Sequence, residues 1–271
     1  MKKIFALFAI ALLSFTSCKN DEGEIQTPPS SSTILPTKIS FINKEDQAGS
    51  TKIIYNGNKI VDATHADLSR TVYSYTGDLI TQITEYDSTG KISFKDFYTY
   101  QNGKLSENNH QSIDSIGAIK SKKRETYTYN SDGTILLESY SIDPTTNVET
   151  KDDHGTEVLT RYNGNIIKWV HISSHTYSGK TYTHTTTYDY KYDDKKSPFA
   201  NVIGFDALID VFSDRNNLVS ETETTEEKVD GIVTSTRTET VDYANQYNEN
   251  GFLTKSSYFK YDFLFQEEYE Y

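Results

Sequence analysis

The chain has 271 residues, with 27 basic against 39 acidic side chains and a formal charge of −12. That sign argues against a nucleic-acid partner, because a phosphate backbone requires a basic footprint, and it opposes docking on anionic lipid headgroups. Tyrosine is over-represented at 21 residues beside many Thr, which suits pleated strands where aromatic and β-branched side chains pack.

At the N-terminus, Lys2 and Lys3 precede a continuous apolar run at 4–13, and small residues close it at Ser17, the layout of a signal peptide over 1–17. The run is too short for a membrane span, which needs roughly 20 apolar residues. Residues 15–18, Phe-Thr-Ser-Cys, resemble the lipobox of bacterial lipoproteins, with Phe15 where Leu is usual. The resemblance implies cleavage before Cys18 and its acylation with palmitate-type chains. Cys18 is the only cysteine, so no second thiol competes for it. Two or three acyl chains make such attachment effectively permanent. Removing Lys2 and Lys3 with the signal leaves 25 basic against 39 acidic residues, a mature charge of −14.

Residues 18–36 are polar, Pro- and Ser-rich and without periodicity, which describes a lipidated flexible tether reaching roughly 25 Å. Its first residues, Lys19-Asn20-Asp21-Glu22, resemble the acidic export tag of Bacteroidetes surface lipoproteins, with Asn20 interposed. The expected location is therefore the outer membrane, surface-exposed or facing the periplasm, with the membrane as partner through the lipid anchor.

From 37 to 271 one pattern runs unbroken, and it predicts a single domain. Six turn dipeptides punctuate it: Asn56-Gly57, Asn102-Gly103, Asp132-Gly133, Asn163-Gly164, Asp230-Gly231 and Asn250-Gly251. Each signals a hairpin, because Asn, Asp and Gly tolerate the positive φ of a type I′ turn. An aliphatic residue commonly follows two places after the Gly, as at Leu79, Ile92, Leu105, Ile135, Ile166 and Leu253, and Tyr alternates before the turn, as at Tyr73 and Tyr75 or Tyr98 and Tyr100. Gly77, Gly90 and Gly103 are 13 residues apart, a hairpin-scale period. In 181–192 one face carries Tyr182, His184, Tyr188, Tyr190 and Tyr192 while Thr dominates the other, so one face is buried and one is wet. The fold class is all-β, an antiparallel β-meander of successive hairpins, curled or barrel-like.

Ser197-Pro198 breaks the pattern. With Phe199, Val202, Ile203, Phe205, Leu208, Ile209 and Phe212 at helical spacing, it predicts one inserted amphipathic helix near 198–213 that caps the core. The stretch from Tyr190 through Pro198 and Phe199 to Asn216-Asn217-Leu218-Val219 resembles the DUF4595-type lipoproteins of Bacteroidetes, a family without assigned function. The Tyr/Gly hairpins more weakly resemble the YD repeats of Rhs-type shells. The family resemblance implies a barrel-like β-meander and brings no catalytic residues.

Chemistry-bearing motifs are sparse. His171, His175 and His184 fall in one predicted hairpin near Ser178-Gly179, but His171 and His175 sit about 13 Å apart on a strand face at ~3.3 Å per residue, so they do not share a metal ion directly. Only His175 and His184 could approach across the hairpin, with no third ligand, and no metal or cofactor is expected. The acid pairs Asp152-Asp153, Asp193-Asp194 and Glu267-Glu268 are adjacent and so point to opposite strand faces. The acidic run 221–230 could attract cations, but reads first as a charge-protected edge strand. The expected function is a non-catalytic binding or scaffolding module for a glycan or protein ligand. The alternatives are a glycan-directed hydrolase whose acids converge only in three dimensions, and a membrane β-barrel.

Overall fold

The computed structural model describes residues 33–42, 48–152, 155–209 and 213–271. The signal peptide expected over 1–17, Cys18 and the tether before Thr33 lie outside the described residues.

Among the described residues there are eighteen strands: β1 (Lys38–Ile42), β2 (Ala48–Asn56), β3 (Lys59–His65), β4 (Arg70–Thr76), β5 (Leu79–Tyr86), β6 (Ile92–Gln101), β7 (Lys104–Ile113), β8 (Ile119–Tyr129), β9 (Thr134–Ile142), β10 (Glu149–Lys151), β11 (Thr156–Tyr162), β12 (Asn165–Tyr177), β13 (Lys180–Lys196), β14 (Asn216–Val229), β15 (Ile232–Asp242), β16 (Ala244–Tyr247), β17 (Leu253–Lys260) and β18 (Phe263–Glu270). They form one antiparallel sheet in which chain neighbours pair, except β10 with β11 and β15 with β16. β1 lies between β2 and β18, which joins the two ends of the meander. β9 pairs with β8 on one side and with β11 and the short β10 on the other. At the remaining seam β15 pairs with β14, and β16, which follows it directly, pairs with β17. Tyr243 N donates to Val219 O at 3.0 Å and Asn245 Nδ2 to Leu218 O at 2.9 Å across it. The result is a nearly closed barrel, as the hairpin pattern predicts. Thr33–Tyr271 is one compact unit.

The repeated residues have a mechanical explanation. In the β6–β7 hairpin both turn residues take positive φ, Asn102 at 53° and Gly103 at 76°, which matches the strand twist. A register shift next to the turn then sets Tyr100 opposite Leu105, and equivalent shifts set Tyr55 opposite Ile60 and Tyr75 opposite Ile80. Ile60, Ile80, Leu105, Ile135 and Ile166 are each 2% exposed or less. The tyrosines tie one hairpin to another: Tyr100 OH donates to Ile80 O at 2.7 Å, Tyr192 OH to Ile166 O at 2.8 Å and Tyr271 OH to Leu253 O at 2.6 Å. Two details differ from the sequence reading. The buried residue of the Gly77 hairpin is Ile80 and not Leu79, because Gly77 occupies the first turn position there and shifts the offset by one. At Asn56-Gly57, Asp132-Gly133 and Asn250-Gly251 only the Gly has positive φ, the last two within longer turns closed by Asn130 N to Thr134 O and Asn248 N to Phe252 O.

The helix expected near 198–213 is absent. The described residues of that stretch form turns and a single 3-10 turn, Phe205–Ala207. Gly204, at φ 87°, breaks the helical path and presses against the rim, where an added Cβ would stand 2.8 Å from Asp78 O. Ile203 N donates to Asn58 O in the β2–β3 turn at 2.9 Å. A helix would present its apolar residues as one stripe, whereas here they serve two cores. Val202 packs with Ile53 and Ile60, joined by Phe199 and Phe205, while Ile209 packs against Ile135, Leu159 and Ile166. The segment, together with the turns at Asp78, Gly103, Gly133 and Asn163, borders one recess, so it covers the barrel end ringed by those turns.

The two sheet faces differ in chemistry. Inward positions carry the aliphatic and aromatic residues of the cores, and the outward positions carry ion pairs: Arg70 with Asp62, Lys38 with Glu270 at 2.6 Å, Lys168 with Asp189 at 3.4 Å and Lys255 with Glu268 at 3.1 Å. On β14 and β15, Thr222 meets Thr240 at 3.1 Å and Thr224 meets Thr238 at 3.3 Å on that outward face. Exposed apolar side chains such as Ile54, Ile172 and Phe259 are scattered among them.

Candidate functional site

Two of the cavities among the described residues lie inside the barrel, and Phe199 borders both. One, of about 470 Å³, lies between β2 and β8 and is largely aliphatic, with Ile53, Ile60, Ile83 and Leu105 in its wall. Its polar groups mostly serve each other: His65 Nδ1 meets Thr51 Oγ1 at 2.9 Å, its Nε2 meets Thr71 Oγ1 at 3.1 Å, and Tyr127 OH donates to Glu125 at 3.2 Å. Asn108 Oδ1 is left without a partner.

The other cavity, of about 530 Å³, is walled by aromatic rings: Trp169 from β12, Tyr190 from β13, Tyr243 at the seam, Tyr258 from β17 and Phe265 from β18. Tyr258 stacks on Phe265 with centroids 4.9 Å apart, and Tyr243 leans on Tyr258 at 4.7 Å. Among the described residues, three carboxylates reach the same space, Asp214, Glu221 and Glu267, and no Lys or Arg borders it. Strand alternation accounts for this: on β14 Glu221 and Glu223 face inward while Thr222 and Thr224 face out, and on β18 Glu267 faces inward while Glu268 pairs outward with Lys255.

Each carboxylate is held in place. Asp214 accepts Ile166 N at 2.8 Å and Tyr192 OH at 2.5 Å. Glu267 accepts Tyr269 OH at 2.5 Å, and Glu221 faces Lys260 Nζ at 3.6 Å, a lysine shared with Glu223 at 3.8 Å. Burial, followed by the Glu221 charge, pushes the Tyr190 and Tyr243 phenols above their ordinary range, and burial with the Glu267 charge does so at Tyr258. These phenols are therefore neutral near neutral pH, and the cavity's charge resides on its acids.

Among the described residues, three polar atoms of this wall have no partner: Ser197 Oγ, Asn217 Oδ1 and Asn245 Oδ1. Ser197 is 6% exposed and Asn217 4%. Buried polar groups nearly always find a partner inside a protein, so such orphans mark places where another molecule can supply one.

The sequence candidates do not converge. His171 Nδ1 lies 3.7 Å from Glu157, and His175 pairs across the hairpin with Tyr182 and stacks on it at 5.2 Å. His184 lies opposite Ser173 and not His175; its Nδ1 meets Glu227 at 2.6 Å. Among the described residues no group of three His, Cys, Asp or Glu could hold a metal ion. Asp193 accepts Asn217 N and Tyr247 OH, whereas exposed Asp194 pairs with Lys195. Asp152 accepts Ser141 Oγ at 2.5 Å, and Asp153 lies outside the described residues. The acidic run 221–230 is not an edge: β14 is paired on both sides, so its inward acids enter the barrel. The Glu-x-Glu spacing at 221 and 223 was the available signal, since it repeats the Tyr-x-Tyr spacing that marks inward positions.

No family model matches the chain, and no curated protein matches it. Among solved structures, a porin-like protein from Bacteroides vulgatus ATCC 8482 is similar over 88% of this chain and 98% of its own, with a TM-score of 0.56 at 16% identity. A porin-like protein from Bacteroides uniformis ATCC 8492 aligns over 87% and 97% with a TM-score of 0.41 at 12% identity. At these identities the likeness is one of fold.

Proposed function

We propose that this chain is a lipid-anchored, extracytoplasmic binding module of the outer membrane, akin to the DUF4595-type lipoproteins, whose barrel takes a ligand into its aromatic cavity without transforming it. The observation that carries the reading is the pairing of an ionic, Thr-rich exterior with an interior whose wall keeps unpartnered polar atoms at Ser197, Asn217 and Asn245. The fold neighbour's porin-like description raises a membrane-spanning reading. A spanning barrel presents an apolar band about 25 Å tall to lipid, and the ion pairs and Thr ladders here favour an aqueous exterior. Attachment then falls to acylated Cys18 and the polar residues after it.

Fractionation of cells expressing the Cys18→Ala variant tests the anchor: release from the membrane fraction is expected, together with loss of labelled fatty acid. A variant that stays membrane-bound and detergent-dependent would favour the spanning barrel. Turnover of chromogenic glycosides by residues 33–271, abolished by changing Glu221 or Glu267, would replace the binding module with a hydrolase.

A further inference from the structure

We propose that the cavity between Trp169 and Glu221 binds a small organic cation, an amine or quaternary ammonium. The inference rests on the binding-module reading and adds the charge of its ligand.

Electrostatics supplies the first argument. Asp214, Glu221 and Glu267 border the cavity, with no lysine or arginine beside them among the described residues. Hydrogen bonds from Tyr192, Tyr269 and Ile166 orient two of these carboxylates but cancel no charge. Lys260, shared between Glu221 and Glu223, offsets at most one of those two charges and forms no ion pair with Glu267 among the described residues. Inside a semi-enclosed, low-dielectric space the remainder attracts a cation more strongly than in water and repels an anion.

The walls supply a second and independent argument. Indole and phenol rings are the best faces for a cation, and Trp169, Tyr190, Tyr243 and Tyr258 all present rings here. Burial and nearby carboxylates keep the three phenols protonated, so their faces stay uncharged. The orphan atoms point the same way. Asn217 Oδ1 and Asn245 Oδ1 accept only, and Ser197 Oγ can accept, so the wall lacks donors more than acceptors. A cation carrying N–H or polarised C–H groups supplies them. At about 530 Å³ the space lies within the range of small-ligand sites.

The chain's single tryptophan, Trp169, borders the cavity and serves as the reporter. Residues 33–271 are titrated with choline, with phenethylamine, with the uncharged tert-butyl isostere of choline and with glucose. Indole emission is followed, and calorimetry provides a second readout. The expected result is saturable binding of at least one cation, with the isostere about tenfold weaker than choline. Glu221→Gln is expected to weaken cation binding about tenfold and leave the isostere unchanged. Glu267→Gln is the second acid variant, should the first misfold by circular dichroism. Ser197→Ala, which removes an unpartnered hydroxyl, should keep the fold and weaken binding about threefold. Equal affinity for choline and its isostere, or saturation by glucose without either cation, overturns the cation and leaves the binding module standing. No saturable response to any of the four sinks both.

Discussion

The two halves of the barrel interior are built from the same hairpin unit and end in opposite characters. Between β2 and β8 the inward side chains include Ile53, Ala63 and Ile83 beside Tyr73 and Tyr98, and the polar ones largely serve each other. Between β12 and β18 the inward side chains are Tyr190, Glu221, Tyr258 and Glu267, and Ser197 and Asn217 remain unpartnered. The turn-proximal Tyr and Ile or Leu recur in both halves because they hold hairpins together at the rim. The mid-strand inward positions are free to differ. A fold that pairs most polar groups of one half with each other, and sets acids and unpartnered acceptors together in the other, separates stability from function, and local departures from the packing rules are where function is expected.

The widest break should come at high pH. Burial raises tyrosine phenols in both halves, at Tyr55 and Tyr75 with neighbouring phenols adding to it, and at Tyr190 and Tyr192 with carboxylates adding to it. Tyr100 is pushed up to about 12, by burial first. The unfolded chain ionises near its ordinary value of about 10, so it sheds protons that the folded chain holds. The stabilisation is thus complete below about 10 and is lost as pH rises through the folded values. Phenolate absorbance should lag the ordinary titration, then jump together with loss of the β signal in circular dichroism. An ordinary, gradual titration in a chain that stays folded would show that these phenols are not held.

A smaller effect should separate the halves directly. Leu105, 1% exposed on the aliphatic side, has no way to leave its cavity unfilled, and Leu105→Ala should cost about 2–5 kcal/mol in urea unfolding. Tyr258→Leu, on the aromatic side, keeps an apolar body at a half-buried position and should cost about 1 kcal/mol while weakening cation binding. Equal costs would mean that both cavities are structural.

The hairpin architecture was legible because turn chemistry and strand alternation are local. Asn102-Gly103 and Tyr98-x-Tyr100 specify a turn and a face within a few residues. The helix near 198–213 misled because its apolar spacing is periodic, yet the spacing is imposed by two separate cores that lie far apart in sequence, Ile53 and Ile60 against Ile135 and Ile166. The cavity was illegible for the same reason. Trp169, Glu221, Tyr243 and Glu267 come together only through closure of the meander, which pairs β1 with β18 and passes β16 to β17. The histidines drew attention by residue type, and their neighbours across the strands, Thr186, Tyr182 and Ser173, give them ordinary packing roles.

The smallest expected effect bears on the exterior that both halves share. Thr240 is exposed on β15, points outward opposite Thr222, and has no buried group to protect. If water surrounds the barrel, Thr240→Lys loses one weak hydroxyl contact and places a charge in solvent, so stability should move by no more than about 0.5 kcal/mol. On a lipid-facing strand the same lysine would cost about 2–4 kcal/mol near the midplane. Urea unfolding of residues 33–271 without detergent, wild type against Thr240→Lys, reads the difference. A near-neutral result in detergent-free buffer is expected, because Arg70 with Asp62 and Lys168 with Asp189 already place charges on that same face. A loss of several kcal/mol, or a variant recoverable only in detergent, would mean that the outward face meets lipid and that the spanning barrel is the better description.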